Sequence, residues 1–365
     1  MSSPTPSAPR APGPHLISPK PIGKTAPPSP SSSIIVVSPT NKILLLHRLQ
    51  KSSAFPSAHV FPGGNLEPSD GQVPADGKDR HIDNPAYRTG GIRELFEESG
   101  VLLAKEKGSD ALLQVSDADR IRGRNAVHSH KLSFAEWLKR QSATATLDTE
   151  GLIPFTHWIT PPNVPKRYTT QMYIYFVPVS EDGNESVSAV ADEVETMAAE
   201  WDTASNWTRR AREGSIILFP PQYLLLELAG GFLDRGEGVV LSRREKLREF
   251  IKNDGTPTWE KKYISPLGLS FGRRDGRAVL ALDKPGPELM GTGLTGDDQR
   301  VVLVKFMKEG PRNVEVRWRK DVMEEERAEK EASGGKATER GKDMADIARE
   351  KAAREKAARE KKSKL

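Results

Sequence analysis

The sequence predicts an α/β fold that carries a smaller β-rich extension toward its C-terminal side. Three observations support this: short apolar runs joined by turn residues, a two-faced helix around residues 93–101, and a second set of β-like runs after Gly255. Residues 1–32 hold repeated Ser-Pro and Pro-Pro steps and almost no large apolar group. They bury too little surface to offset their ordering entropy, so a disordered leader is expected there. Residues 33–38 and 42–47, joined by Pro39-Thr40-Asn41, read as strand–turn–strand, and residues 58–61 as a short strand running into Pro62-Gly63-Gly64. A polar loop follows at 66–84, then a helix expected over 86–103. Residues 134–140 read as helix, Trp158-Ile159 as extended chain, 172–179 as a buried strand and 203–213 as helix. Pro220-Pro221 opens another helix, 222–228, where the first turn has amides to spare. The extension, 255–320, rests on the runs 259–264, 278–282, 301–307 and 314–318. The tail, 321–365, is rich in Ala, Glu, Lys and Arg without an apolar stripe, so a solvated, undocked helix is expected.

Composition narrows the chemistry. The 365 residues include no cysteine, which excludes disulfides and thiolate metal sites and leaves oxygen or imidazole ligands. Mean hydropathy is −0.57, and no apolar run approaches the roughly 20 residues that span a bilayer, so a membrane is not an expected partner. The first thirty residues lack the apolar stretch of a secretory signal. A net charge of +5 and a pI of 9.2 invite a nucleic-acid reading. The excess sits at the ends, however: residues 1–33 carry Arg10, Lys20 and Lys24 and no acid, whereas 34–319 hold equal numbers of acids and bases. A neutral core argues against a dedicated polyanion surface.

The segment 93–101 carries the strongest signal. On a helical wheel at about 100° per residue, Glu94, Glu97 and Glu98 share an arc of about 100°. Ile92, Leu95, Phe96, Leu102 and Leu103 fall on the other side. Carboxylates at i, i+3 and i+4 repel one another by a few tenths of a kcal/mol per pair, a local cost that a hard divalent cation would remove. Such a spacing alone is commonly a wet helix surface; here Gly63-Gly64 precedes it and Gly100 ends it.

With those glycines the segment resembles the box of the Nudix hydrolases: Gly, five residues, Glu, seven residues, then Arg-Glu-apolar-x-Glu-Glu-x-Gly-apolar. Residues 93–101 match the second half at every specified position. Gly64 matches the first half, with Asp70 where the family has Glu. Twenty-two residues separate Asp70 from Arg93 instead of seven, an insertion of 15 that weakens the role expected of Asp70. Gly90 and Gly91, each costing about 1 kcal/mol in a helix relative to Ala, mark a candidate start for that helix. Residues 44–48, 55–64, 86–103, 158–161, 166–170 and 219–223 further resemble the peroxisomal coenzyme A diphosphatases of the Nudix motif 19 type, whose box is also interrupted. A coenzyme A signature with Arg and Gly ahead of Phe-Pro-Gly-Gly is kept only in part, since Ser53 and Ser57 stand in those places while Arg48 is retained.

The resemblance implies a Nudix-type α/β/α sandwich around a mixed β-sheet for residues 33–250, with an insertion at about 71–85. It implies Mg²⁺ or Mn²⁺ on Glu94, Glu97 and Glu98, with Glu97, Glu98 and Arg93 as catalytic residues. Which carboxylate acts as base stays open, with Glu193 or Glu195 as alternatives. Arg48, Gly63, Gly64 and Arg167, the last beside Lys166, are the candidates for binding a coenzyme A type diphosphate. His59 is expected to be a packed histidine rather than a catalytic one. The terminal Ser363-Lys364-Leu365 reads as a peroxisomal import signal, with the import receptor as partner and the peroxisome as destination. Other diphosphates (NADH, ADP-ribose, capped RNA) and a non-catalytic binding module remain open at this level.

Overall fold

A computed structural model describes residues 27–48, 58–164, 166–179 and 197–334 of the chain. The expectations placed on Ser53, Ser57, Glu193, Glu195 and Ser363-Lys364-Leu365 lie outside the described residues. The chain opens with an antiparallel pair, β1 (Ser29–Val37) and β2 (Ile43–Arg48), whose turn is completed by Asn41 at φ 63°, a left-handed position that Asn tolerates. β1 starts at Ser29 rather than at residue 33, because Ser29–Ser33 already pair with residues 168–172. The last residues of the expected leader are therefore strand. Next come β3 (His59–Val60), β4 (Gly63–Asn65) and α1 (Pro85–Ser99). A small cover follows: β5 (Ala104–Glu106), α2 (Asp117–His128), α3 (Phe134–Gln141) and β6 (Ala145–Leu147), with β5 paired to β6. The chain then returns to the main sheet through β7 (Ile153–Ile159), β8 (Tyr168–Phe176) and β9 (Met197–Asp202). Three helices, α4 (Ala204–Arg212), α5 (Pro220–Leu233) and α6 (Val240–Asn253), precede β10 (Tyr263–Ile264).

The eight-stranded sheet runs β10-β7-β8-β1-β2-β3, with β4 also on β1 and β9 on β2. β1 with β8 and β7 with β10 are parallel while the other pairs are antiparallel, so the sheet is mixed. Period-two alternation along β1 divides its side chains between two cores. Ile34 and Val36 face α1 and α3, and Ile35 and Val37 face α4 to α6. Helices thus cover both faces, which makes an α/β/α sandwich.

Residues 263–264 were expected in the extension, but as β10 they pair with His157 and Trp158 and extend the main sheet. The extension itself is β11 (Leu267–Gly272), β12 (Ala278–Leu282), β13 (Asp297–Met307) and β14 (Gly310–Trp318), antiparallel in that order, followed by α7 (Arg319–Ala332). Leu280, Leu282, Val302 and Val304 share the core of α4 to α6. Val279, Ala281, Val301 and Leu303 turn the other way and are closed by Val322 of α7. That docking corrects the expectation of an undocked helix after residue 320: one buried valine, with Glu325 paired to Arg273 and Arg317 at 2.7 Å each, holds its first turns. Two ion pairs join sheet and extension, Lys262 Nζ–Asp297 Oδ1 at 3.1 Å and Arg167–Glu288 at 2.5 Å. No helix among the described residues is long and apolar enough to cross a membrane.

Candidate active site

α1 carries the site, and its ends are fixed locally. Asn84 Oδ1 accepts the Ala86 N–H at 2.9 Å and Pro85 takes the first helical position. Gly100, at φ 74°, stops the helix and donates its N–H to Phe96 O at 2.8 Å. The helix therefore ends at Ser99, short of the expected residue 103. Leu102 and Leu103 enter the core from irregular chain. Arg124 of α2 donates to the carbonyls of Glu97 and Glu98 at 3.0 Å each, satisfying last-turn acceptors that the helix leaves open.

Gly90 and Gly91 lie inside α1 and do not mark its start. Close approach explains both: a Cβ on Gly90 would sit 2.9 Å from Asp70 Oδ2, and one on Gly91 would sit 2.6 Å from Ser32 Oγ. The space at Gly90 admits the residue that the sequence reading set aside. Asp70 ends a short 3₁₀ turn, Pro68–Asp70, and is buried under α1. Its Oδ1 accepts from Arg93 Nε at 2.8 Å and its Oδ2 from Arg93 Nη2 at 3.0 Å, a fork-to-fork pair. Asp70 thus positions the arginine of the box, and the insertion between them is accommodated without loss of the contact.

From that anchor, Arg93 Nη1 reaches Glu97 Oε1 at 2.8 Å and Glu94 Oε1 at 3.1 Å, while Nη2 donates to Asn65 O at 2.9 Å. Burial alone would lower the Arg93 pKa; the bonds from Asp70 and the charges of Glu94 and Asp70 outweigh it and raise it. Glu94 goes the other way. Desolvation, helped by Glu97 and Asp70, pushes its carboxyl up to about 7 against the pull of Arg93. Glu98 Oε2 accepts the Gly63 N–H at 2.8 Å, tying the last turn of α1 to β4. Gly63 is required by space, since a Cβ there would meet Ser32 O at 2.2 Å, whereas a Cβ on Gly64 would meet the Glu94 carboxylate at 2.5 Å and push it aside. On the open side, His128 Nδ1 lies 3.5 Å from Glu97 Oε2, a neighbour with no signal in the sequence because α2 has little apolar periodicity.

Glu94, Glu97, Glu98, Arg93, Gly63 and Gly64 are therefore brought together. Among the described residues, no three His, Asp or Glu side chains stand as a metal-holding group, since Glu97 turns to Arg93 and Glu98 to Gly63. Arg48 ends β2 opposite Met197 of β9, away in sequence from the cluster. Arg167 is turned inward: its side chain is 2% exposed, its Nη1 bonds Glu288 at 2.5 Å and its Nε donates to Thr160 O at 2.9 Å. That pairing opposes the phosphate-binding role expected of it. Its neighbour Lys166 lines the cavity instead. His59 is packed, stacking on His47 at 4.5 Å and lying 5.6 Å from the Trp207 ring.

Gly63, Gly64 and Asn65 also form one end of a cavity of about 490 Å³. Its walls are largely apolar and come from β7, the start of α5 and the extension. Glu94, Glu97 and Glu98 are not among its lining residues; the Gly63-Gly64 turn, which Glu94 and Glu98 approach, joins the carboxylate cluster to the cavity, an arrangement for a diphosphate with an organic arm.

Residues 74–228, from the inserted loop into α5, match the family model of the NUDT19 Nudix domain. The chain is also similar to proteins named acyl-coenzyme A diphosphatase NUDT19. The one from Xenopus laevis is 26% identical over 227 residues, covering 50% of this chain and 58% of that protein. The putative nudix hydrolase 7 of Caenorhabditis elegans is 26% identical over 194 residues, covering 53% and 57%. The chain thus spans less than two thirds of these curated relatives. A NUDIX hydrolase structure from Alicyclobacillus acidocaldarius superposes with a TM-score of 0.47 at 18% identity, over 60% of this chain and 96% of that one.

Proposed function

We propose that the chain is a divalent-metal-dependent diphosphate hydrolase acting on coenzyme A or its acyl thioesters, with 3′,5′-ADP and 4′-phosphopantetheine or its acyl form as products. The observation that carries this reading is the approach of Glu94 and Glu98 to the Gly63-Gly64 turn, which lines an apolar cavity, with Glu97 joined to Glu94 through Arg93. The names of the NUDT19 relatives support the substrate.

The donor set suits Mg²⁺ or Mn²⁺: three carboxylates on one helix, with no thiolate in the chain and a single imidazole, His128, beside Glu97. Glu94 in particular is a desolvated acid held up at about 7, which a cation would return to its charged form, and Gly64 leaves its carboxylate uncovered by side chain. Glu94, Glu98 and Glu97 would hold the ion, and when bound it supplies an activated water and shields the diphosphate charge. The protein does the rest. Asp70 fixes Arg93; Arg93 aligns Glu94 and Glu97, and a neighbouring carboxylate takes the proton from the attacking water. The side-chain-free Gly63-Gly64 backbone lets phosphate oxygens approach α1, and Lys166 offers a cation at the cavity wall.

Incubation of purified protein with coenzyme A and Mg²⁺ or Mn²⁺ should release 3′,5′-ADP, read by chromatography. No release with either metal would sink the reading. The peroxisomal address that Ser363-Lys364-Leu365 would supply as a free C-terminus, and the import receptor it would engage, are proposed with it. A reporter carrying the last dozen residues should collect in peroxisomes, and a diffuse signal would overturn the address.

A further inference from the structure

The extension builds one wall of the cavity. Leu267 and Gly268 of β11, Leu280 of β12 and Phe306 of β13 face Trp158 of β7 and Phe219 at the start of α5 across it. On the same walls, two buried side-chain oxygens, Asn163 Oδ1 and Gln222 Oε1, have no hydrogen-bond partner among the described residues. A buried polar atom left unpaired costs about 1–3 kcal/mol, so its retention calls for an explanation. Lys166 is the single charged side chain lining the cavity among the described residues, which leaves it poorly matched to a polyanion. Gly63 and Gly64, where the diphosphate would be cut, also line the cavity.

We propose that this cavity receives the uncharged arm of the substrate, an aliphatic chain interrupted by amide groups, and that the extension selects for it. Leu267, Leu280 and Phe306 contact the aliphatic part, and Asn163 and Gln222 accept its amide N–H groups. The pantetheine arm of an acyl-coenzyme A has that chemistry: two amides within an otherwise apolar chain that ends in a thioester. The inference rests on the proposed diphosphate hydrolase reading, and it assigns residues 267–306 a task in substrate choice. A nucleoside end would instead require several cations for its phosphates, and the described cavity walls provide one.

Calorimetric titration of the full chain in EDTA separates binding from turnover. The probes are octanoyl-coenzyme A and 3′,5′-ADP, which lacks the arm. Wild type should bind octanoyl-coenzyme A at least tenfold more tightly than 3′,5′-ADP. Leu267→Trp, which fills the cavity from a half-buried position, should weaken octanoyl-coenzyme A at least fivefold and leave 3′,5′-ADP within twofold. Gln222→Leu should do the same while raising Tm, because it removes an unpaired buried oxygen; a merely structural residue would lower Tm. Equal wild-type affinity for the two probes, or equal losses for both in the variants, would overturn the proposal. Tight arm-dependent binding without release of 3′,5′-ADP in Mg²⁺ would leave it standing and sink the hydrolase reading instead.

Discussion

Asp70→Asn tests the least expected part of the site. The carboxylate it neutralises is 2% exposed, accepts two N–H groups from Arg93 at 2.8 and 3.0 Å, and also accepts the Glu67 N–H at 2.8 Å. Removing one member of a buried ion pair costs about 3–5 kcal/mol because the other charge is left uncompensated. Arg93 keeps Glu97, Glu94 and the Asn65 carbonyl, so the lower end, about 3 kcal/mol, applies. At roughly 2–4 °C per kcal/mol for a domain of this size, Tm should fall by about 6–12 °C. The unanchored guanidinium would settle onto Glu94 and Glu97, so the apparent affinity for Mg²⁺ in the coenzyme A assay should weaken by about tenfold or more. Scanning calorimetry and a Mg²⁺ titration of turnover read the two effects. A Tm unchanged within about 2 °C, together with an unchanged Mg²⁺ dependence, would refute the positioning role.

Three further outcomes follow from the same contacts. Gly64→Ala places a Cβ 2.5 Å from the Glu94 carboxylate and displaces the end of that side chain, so turnover should drop, and normal turnover would contradict this. His59 and His157 are held down to about 3 by burial, so they stay neutral when folded but take up protons when unfolded below about 6.5. Stability should therefore decline as pH falls from 6.5 toward 3, by about 1.4 kcal/mol per unit per histidine; His157→Gln should flatten a plot of Tm against pH, and an unchanged slope would count against it. Lys262→Met leaves the fully buried Asp297 with the Arg300 guanidinium at 3.3 Å as its remaining ion-pair partner among the described residues and should lower the denaturant midpoint by about 3 kcal/mol equivalent, with Lys262→Met/Asp297→Leu recovering most of it.

Helix α1 is legible because Ile92, Leu95 and Phe96 mark its buried stripe and leave the three glutamates together on the other side. Its end is not, since residues 101–103 continue the apolar pattern and only the left-handed Gly100 shows that the helix stops. Asp70 was undervalued because a count of inserted residues says nothing about how a loop folds. The 3₁₀ turn at Pro68–Asp70 and the missing side chain of Gly90 bring it back under α1. The guanidinium fork of Arg167 suits a phosphate, but Glu288, 121 residues later, claims it, a long-range pairing that local sequence does not show. α7 looked undocked because one buried valine is too little for a stripe, yet Val322 closes the outer core of the extension. The contribution of the extension to the cavity was invisible for the same reason: long-range packing, not local pattern, places Leu280 and Phe306 opposite Trp158.

The central claim is that the α1 carboxylates perform the hydrolysis, and Glu94→Gln measures it most directly. Neutralising that side chain removes a desolvated acid whose charged form burdens the fold at pH 8, above its value of about 7, so Tm at that pH should hold or rise. Release of 3′,5′-ADP from coenzyme A in Mg²⁺ should meanwhile fall by at least about 100-fold, roughly 2.7 kcal/mol of transition-state stabilisation. A variant that keeps its turnover within a few-fold of wild type would contradict the account.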